Sequence, residues 1–194
     1  MDIFTDYVRL REDLYKDLES EFEKDLQKWN AVLDREKLSV RFREPKVLFA
    51  QGEADIQVDF KEILDDFFPR YIQILKQPNY VNAIAEIRIE GHTSSEWSEI
   101  VNQQEAYILN MELSQDRTRS VLQYVLQIPA IHGNRGRIQH HLTANGLSSS
   151  KLIMHPDSAQ NREESRRVEF RVRTNAEKQL EKIKELEEII GETL

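Results

Sequence analysis

The first pattern along the chain is a stripe of large apolar side chains between residues 6 and 35. Its members lie three or four residues apart, with acidic and basic residues filling the other faces: Leu10, Leu14, Leu18, Phe22, Leu26, Trp29 and Leu33. This spacing predicts one long amphipathic helix. It is wider than a strict heptad repeat, which argues against a regular left-handed coiled coil. Residues 1–37 are therefore predicted to be an amphipathic helical stalk or self-association helix or, equally, a helix packed on its own domain.

The middle of the chain switches between strand and helix patterns. Segments in which apolar and polar residues alternate predict strands at 38–42, 85–90, 138–144 and 168–173. Broader apolar faces predict helices over 58–76 and 103–126, and Pro69 is expected to kink the first of these or end its first part. Pro45 is expected to mark a bulge or short loop after the first strand. Strands separated by helices favour an α+β fold, an α/β sandwich with a β-α-β-α-β-β mixed sheet and helices on one face.

The end of the chain predicts a last amphipathic helix over residues 175–194. Asn175 is a suitable N-cap, and Gly191 a suitable stop. Leu180, Ile183, Leu186 and Ile190 form the apolar stripe of this helix. The sequence leaves open whether the stripe packs on the first helix or on a neighbouring chain.

Charge and composition narrow the function. The formal net charge is -8 and the pI is about 5.3. Nucleic-acid binding depends largely on Lys and Arg that neutralise phosphates, and no dense basic run is present, so we expect no nucleic-acid partner. The chain has no cysteine, which excludes disulfides, zinc–thiolate sites and thiol nucleophiles.

No motif of an enzyme or of a cofactor site is recognisable. The six glycines form neither a dinucleotide-binding nor a P-loop motif, and GxSxG is absent. HExxH is also absent, and His140 and His141 are neighbours on a predicted strand, so they would point to opposite faces and could not share a metal ion. We therefore expect no catalytic residues, no metal and no cofactor.

The ends of the chain and its hydropathy bear on the membrane. No stretch approaches the roughly 20 apolar residues that cross a bilayer, and the start lacks a basic region followed by an apolar core. The pattern predicts a soluble chain, which would also suit a piece of a longer, membrane-anchored protein.

Three short motifs stand out in the centre of the chain. Gly91-His92-Thr93-Ser94 follows a predicted strand, Asn110-x-x-Leu113-Ser114-x-x-Arg117 lies on a predicted helix, and Arg162-x-x-x-Arg166-Arg167-Val168-Glu169 enters the last strand. In this order and in these settings they resemble the OmpA/MotB C-terminal domain, with its GHTD turn, NxxLSxxRA helix and RxxNRRVE strand entry. Phe49, Gly52 and Ala54 loosely match the opening strand and turn of that family. The resemblance covers about residues 38–174.

The resemblance implies non-covalent binding of the diaminopimelate of a peptidoglycan stem peptide. In the family, the helix Arg faces a carboxylate and the turn Asp faces an ammonium group. Arg117 takes the Arg position. A guanidinium fork binds a carboxylate in two places. We therefore expect the Arg117 guanidinium to lie open to solvent beside the turn. The Asp position is Ser94, which carries no charge, and Glu96 is the residue expected to substitute for it.

The remaining motif residues complete the expected site. The resemblance assigns ligand binding to these eight residues: Arg117, Asn110, Ser94, Thr93, Glu96, Leu113, Arg162 and Arg166. Arg162 and Arg166 fit a solvated face nearly as well. His92 is expected to make structural hydrogen bonds, and Trp97 to lie over a sugar or over the core.

Two hypotheses follow for the function. The first is a periplasmic cell-wall anchor, tethered to the inner membrane, that holds peptidoglycan; MotB-type stator subunits and the membrane-anchored subunit of Zorya-type phage-defence motors resemble this plan. It implies a homodimer and an ion-channel subunit as partner, reached through a transmembrane helix outside this chain. The second is a protein-interaction or scaffold module on the same fold that no longer binds peptidoglycan, which Ser94 favours, since a fold does not fix its function.

Overall fold

The computed structural model describes residues 3–43, 48–98 and 100–191. Its helices are α1 (Ile3–Leu26), α2 (Val58–Leu75), α3 (Gln103–Gln127), α4 (Arg135–His141), α5 (Arg162–Ser165) and α6 (Asn175–Gly191), with a 3₁₀ helix at Pro129–Asn134. Its strands are β1 (Ala31–Asp34), β2 (Ser39–Arg43), β3 (Ile84–His92), β4 (Leu142–Gly146) and β5 (Arg167–Thr174). They form a mixed sheet in the order β1-β2-β5-β3-β4, in which β3 and β4 run parallel and the other neighbours antiparallel. The predicted mixed α/β fold class is confirmed.

The two faces of the sheet differ sharply in polarity, because alternate residues of a strand point to opposite sides. One face presents buried apolar residues from three strands: Val40, Phe42, Ile87, Ile89, Val168, Phe170 and Val172. Phe67 of α2 packs on this face, with its ring centroid 5.1 Å from that of Phe170 and 5.2 Å from that of Phe22 in α1. The core therefore lies between this face of the sheet and helices α1 and α2. The alternate positions of the same strands are mostly charged.

The first helix is shorter than the apolar stripe predicted. It ends at Leu26, and Asn30, with a φ of 50°, turns the chain into β1. Asn is one of the few residues that adopt this left-handed conformation readily. Trp29 lies in the turn and Leu33 in β1, and both side chains face the same core as α1. Their spacing therefore continues that of the helix although neither residue belongs to it.

The same helix packs on its own domain. Leu14, Leu18 and Phe22 of α1 are fully buried. β1 pairs with β2 from Ala31 opposite Phe42 to Asp34 opposite Ser39, so the boundary predicted between residues 37 and 38 falls inside a hairpin. Of the two interpretations of residues 1–37, the structure shows the helix packed on its own domain.

The strand predicted at 138–144 is wrong in its first half. Residues Arg135–His141 form α4, and β4 begins only at Leu142. The buried apolar residues here are Ile131, Ile138 and Leu142, which lie seven and four residues apart and so follow a helical rather than an alternating period. His140 and His141 consequently lie on a helix, not on a strand.

The structure also bears on two smaller predictions, that Pro69 kinks or ends a helix and that Asn175 caps one. Helix α2 continues through Pro69 to Leu75, and its face of Phe67, Phe68, Tyr71 and Ile72 remains buried on both sides of the proline. Helix α6 is capped by Thr174, whose Oγ1 accepts a hydrogen bond of 3.1 Å from Glu177 N. Asn175 instead donates from Nδ2 to Asn82 O. The side chains of Leu186 and Ile190, and Pro45, lie outside the described residues, whereas Ile183 is exposed.

Two glycines bring α3 close to the sheet. Gly91 in β3 and Gly146 in β4 lie opposite each other. A Cβ on Gly91 would lie 2.7 Å from Thr118 Cγ2, and one on Gly146 would lie 2.4 Å from Gln115 N. Both contacts are with α3, so the helix packs directly on backbone at this point. This close packing sets the N-terminal half of α3 beside the loop that follows β3.

Candidate functional site

A cleft of about 500 Å³ opens at the end of β3. Four segments line it: the loop after residue 48, the turn after β3, one side of α3, and α5 with the residue that follows it. The residues are Phe49, Ala50, Gln51, Gly52, Thr93, Ser94, Glu96, Trp97, Asn110, Leu113, Arg117, Glu163 and Arg166. The three sequence motifs therefore meet at one place, although they are far apart along the chain.

The turn after β3 is held in place from two sides. Thr93 N donates to Ser148 O at 2.9 Å, and Asn110 Nδ2 of α3 donates to Glu96 O at 3.1 Å. Asn110 therefore braces the turn while lining the cleft. The hydroxyl of Thr93 is buried at this wall of the cleft, with the residue 4% exposed, and its Oγ1 has no hydrogen-bond partner within the described residues. A buried hydroxyl without a partner is unusual, because its desolvation is uncompensated.

Arg117 lies beside the turn as predicted, but it is not open to solvent. The residue is 6% exposed. Its Nε donates to Glu53 O at 2.8 Å, one Nη donates to Ala50 O at 3.2 Å, and the guanidinium lies 4.8 Å from the centroid of the Phe49 ring. The expectation of an exposed guanidinium is therefore corrected: the carbonyls of the loop at residues 50–53 occupy much of its hydrogen-bonding capacity, so Arg117 holds this wall of the cleft in place.

The other predicted residues occupy the turn, the rim and the floor. Ser94 is nearly buried in the cleft wall, and Leu113 is half-buried and faces the cleft. Glu96 lines the cleft but forms an ion pair with Arg162. Arg162 itself is exposed and contacts the site through its ion pair with Glu96. The carboxylate expected to replace the missing Asp is thus already engaged by a neighbouring cation.

Sequence reasoning missed Glu163, which lines the cleft together with Arg166. Both belong to the short helix α5 and its C-cap, and residues three apart on a helix share a side. Asn161 caps this helix through a bond of 3.1 Å from Glu164 N to Asn161 Oδ1. In the sequence, Asn161-x-x-Glu164 is a capping pattern that predicts the start of this helix but not its position beside the cleft.

Comparison with known proteins identifies the family. The OmpA family profile matches residues 48–166. The chain belongs to the OmpA family. The matched span contains every residue that lines the cleft, so the cleft is part of the family domain.

One relative and two solved structures are similar over most of the chain. Zorya protein ZorB from Escherichia coli is 46% identical over 177 residues, which cover 91% of this chain and 74% of ZorB. A MotB-like protein from Desulfovibrio vulgaris is 24% identical, with a TM-score of 0.55 over 84% of this chain and 90% of that structure. The cell wall anchor of the T6SS from Pseudomonas aeruginosa is 23% identical, with a TM-score of 0.53 over 81% and 97%. The two structures support the OmpA/MotB-like fold.

None of the helices in residues 3–43, 48–98 and 100–191 combines the length and the apolar character that a bilayer requires.

Beneath the turn, this OmpA-family domain buries a network of charges on the polar face of the sheet. Glu169 accepts a bond of 2.5 Å from Arg167 Nε and one of 2.9 Å from Ser39 Oγ. Burial alone would raise the pKa of Glu169, but the Arg167 guanidinium outweighs it and lowers that pKa to about 2. Arg167 is anchored further by the carbonyls of Ser165 and Lys151. The network fixes the start of β5, directly after the cleft residue Arg166.

His92 lies in this network beside two carboxylates. Its Nε2 is 3.5 Å from Glu90 Oε2 and 3.9 Å from Glu169 Oε1, and neither ring nitrogen has a hydrogen-bond partner within the described residues. The structural hydrogen bond expected of His92 is thus reduced to this long 3.5 Å contact with Glu90. Burial lowers the pKa of His92, and the Arg167 charge acts in the same direction against its two carboxylate neighbours.

Glu90, His92 and Glu169 have ligand atoms within 4.8 Å of one another, as in a metal site. Their surroundings oppose a cation, because Arg167 already bonds Glu169 and Arg88 pairs with Glu90. We interpret the cluster as a structural ion-pair network.

Proposed function

We propose that this chain binds peptidoglycan non-covalently in the cleft and so anchors a membrane complex to the cell wall, without catalysing a reaction. The observation that carries the proposal is that the OmpA-family match spans the whole cleft. The unpartnered hydroxyl of Thr93 in the cleft wall supports it, since a ligand group would satisfy that hydroxyl. The fold similarity to the cell wall anchor of the T6SS from Pseudomonas aeruginosa agrees with this role.

The proposed ligand is the free end of diaminopimelate in a stem peptide. This group is a zwitterion, and a site for it must provide partners for both an ammonium and a carboxylate. The cleft carries both signs, with the acidic residues Glu96 and Glu163 and the basic residues Arg117 and Arg166. Its wall also supplies hydroxyl and amide groups for orientation.

The proposed setting is a phage-defence complex at the inner membrane. The similarity to Zorya protein ZorB supports this assignment. In this setting the domain is periplasmic, the chain forms a homodimer, and a segment outside this chain pairs with an ion-channel subunit. The cell wall, bound in the cleft, then resists the force that the complex exerts on this domain.

Co-sedimentation with purified sacculi tests the proposal. The chain is expected to sediment with sacculi that contain diaminopimelate, and excess soluble stem tripeptide is expected to release it. Leu113→Glu should abolish sedimentation, because it puts a charge on the floor of the cleft. Leu109→Glu is the matched control, since Leu109 is half-buried on the same helix but outside the cleft. Equal sedimentation of both variants would contradict the proposal.

The scaffold hypothesis keeps one observation in its favour. Ser94 supplies no negative charge at the position where the family has Asp. If the parent chain does not sediment with sacculi at all, the interaction module is the better account of this domain.

A further inference from the structure

We infer that Glu163 and Arg166 form the charge pair that receives the zwitterionic end of the ligand, with Glu163 facing the ammonium and Arg166 the carboxylate. The inference rests on the proposed function and assigns its recognition to α5 instead of the turn after β3. Glu163 would supply the negative charge that Ser94, at the position of the family Asp, does not carry. The cleft would then offer partners for both charges of a zwitterion.

The hydrogen bonds of the other charged groups in the cleft lead to this assignment. Arg117 donates to two loop carbonyls, and Glu96 is paired with Arg162. Glu163 and Arg166 are both exposed and line the cleft. Within the described ranges, neither side chain makes a hydrogen bond or an ion pair with the protein. Among the described residues, the two charged groups of the cleft that have no partner within the protein therefore have opposite charge.

The short helix presents these two side chains from a firm base. Ser165, which lies between them, is fully buried. Its Oγ accepts from Ile153 N at 2.9 Å and donates to Ile153 O at 3.2 Å. Arg167, directly after the pair, is held by Glu169 and two carbonyls. The backbone on both sides of Arg166 is therefore fixed, which reduces the entropy lost when a ligand orders the side chains.

An independent feature of the same cleft points to a ligand. Thr93 lines the cleft, and its buried Oγ1 has no partner within the described ranges. We expect a carboxylate bound in the cleft to accept a hydrogen bond from this hydroxyl. A guanidinium binds a carboxylate in two places, and an ammonium group donates three hydrogen bonds to acceptors such as the Glu163 carboxylate.

Three stem tripeptides distinguish the two ends of the ligand. The first ends in meso-diaminopimelate, the second in lysine, which lacks the distal carboxylate, and the third in 2-aminopimelate, which lacks the distal ammonium. Calorimetric titration of the parent chain is expected to favour the first peptide over both others. The expected preference is on the order of tenfold or more, as for charge-assisted hydrogen bonds.

The variants then assign each charge to its residue. Glu163→Gln should erase the preference for diaminopimelate over 2-aminopimelate and keep the preference over lysine. Arg166→Gln should do the reverse. Glu112→Gln and Arg119→Gln are matched controls, because both residues are exposed on α3 outside the cleft.

Two negative results of these experiments have different consequences for the inference and for the proposed function. If the parent chain binds diaminopimelate peptide and sacculi but both preferences survive in the two variants, the inference is wrong and the proposed function stands. If the parent chain binds neither peptide nor sacculi, the proposed function fails and the inference fails with it. Since both side chains are exposed, unchanged melting temperatures are expected for the variants, and thermal unfolding checks this.

Discussion

At the scale of single residues, the cleft combines side chains that maintain its walls with side chains that are available to a ligand. Arg117 belongs to the first group, because its guanidinium donates to Ala50 O and Glu53 O. Thr93 belongs to the second, because its buried hydroxyl lacks a partner within the described residues. The sequence motif includes both residues and does not distinguish the two roles. Only the position of the loop at residues 50–53 does so.

Replacing Arg117 tests its role in the cleft wall. Arg117→Lys keeps the charge but loses the planar fork that reaches two carbonyls. We expect the free energy of unfolding to fall by about 1.5–3 kcal/mol, the range for a hydrogen bond to a charged group. Urea denaturation measures this, and Arg119→Lys, on the exposed side of α3, should leave the stability within about 0.5 kcal/mol of the parent. A stable Arg117→Lys variant would show that the loop does not depend on the guanidinium.

The buried His92 predicts how stability depends on pH. Its pKa is lowered in the folded chain from an ordinary value of 6.5, so the unfolded chain binds more protons as the pH falls below that value. The contribution of His92 to the free energy of unfolding is therefore fully present above pH 6.5. It is lost as the pH falls toward the pKa of His92 in the folded chain, at most by about 1.4 kcal/mol per pH unit. Glu169, with a pKa of about 2, adds a further loss below pH 4.5.

Denaturation curves between pH 7.5 and 5 measure the contribution of His92. His92→Gln should flatten the dependence of unfolding free energy on pH in this range. The control is His155→Gln, at an exposed position. The account is contradicted if His92→Gln retains the full slope of the parent chain.

At the scale of elements, the packing of α3 on the sheet positions the cleft. The sequence predicted this helix and strands β3 and β5 well, because each has a clear period and a motif at its end. It did not predict β1 or the start of β4. Leu33 in β1 continues a helical spacing, and Ile138 precedes β4 within a short helix, so local periodicity indicated the wrong element in both places.

The composition of the cleft shows a similar division. Thr93, Asn110 and Leu113 could be predicted from the motifs. Glu163 and the loop at residues 49–52 could not, because they line the cleft through contacts between distant segments. The engagement of Glu96 by Arg162 likewise depends on tertiary structure. Sequence motifs thus located the cleft, while packing decided which charges in it are available.

The contact between Gly146 and α3 gives a prediction at this scale. Gly146→Ala would place a Cβ 2.4 Å from Gln115 N, which is backbone and cannot rotate away. We expect a loss of about 1–3 kcal/mol, typical of overpacking, and a displaced α3. Gly136→Ala is the matched control: a Cβ there meets no atom within 4 Å, and alanine suits the helix α4 better than glycine. Chemical denaturation of both variants tests the packing, and equal stability would contradict it.

At the scale of the whole molecule, helix α1 and strand β1 are part of the packing of the domain. α1 buries Leu14, Leu18 and Phe22, and β1 extends the sheet. A force applied at the N-terminal side of this chain would therefore act directly on the domain that carries the cleft. This arrangement suits an anchor, because no loose segment separates the first helix from the sheet.

Removal of α1 and β1 should therefore unfold the protein. We expect Leu18→Ala to cost about 2–5 kcal/mol, as for a fully buried leucine, and a chain that starts at residue 38 to lack cooperative unfolding. Val8→Ala, at an exposed position of the same helix, should change the stability by less than about 0.5 kcal/mol. Thermal melts give both values. A cooperative melt of the shortened chain would show that the helix is an accessory to the domain.

The most direct test of the central claim is an NMR titration of the ¹⁵N-labelled chain with the stem tripeptide L-Ala-γ-D-Glu-meso-diaminopimelate. We expect saturable changes in the chemical shifts of the backbone amides around the cleft, at Thr93, Ser94, Asn110, Leu113 and Glu163. The amide shifts of α4 should stay unchanged. A spectrum that does not respond to the peptide, or shifts that cluster away from these residues, would contradict the claim that this cleft binds the cell wall.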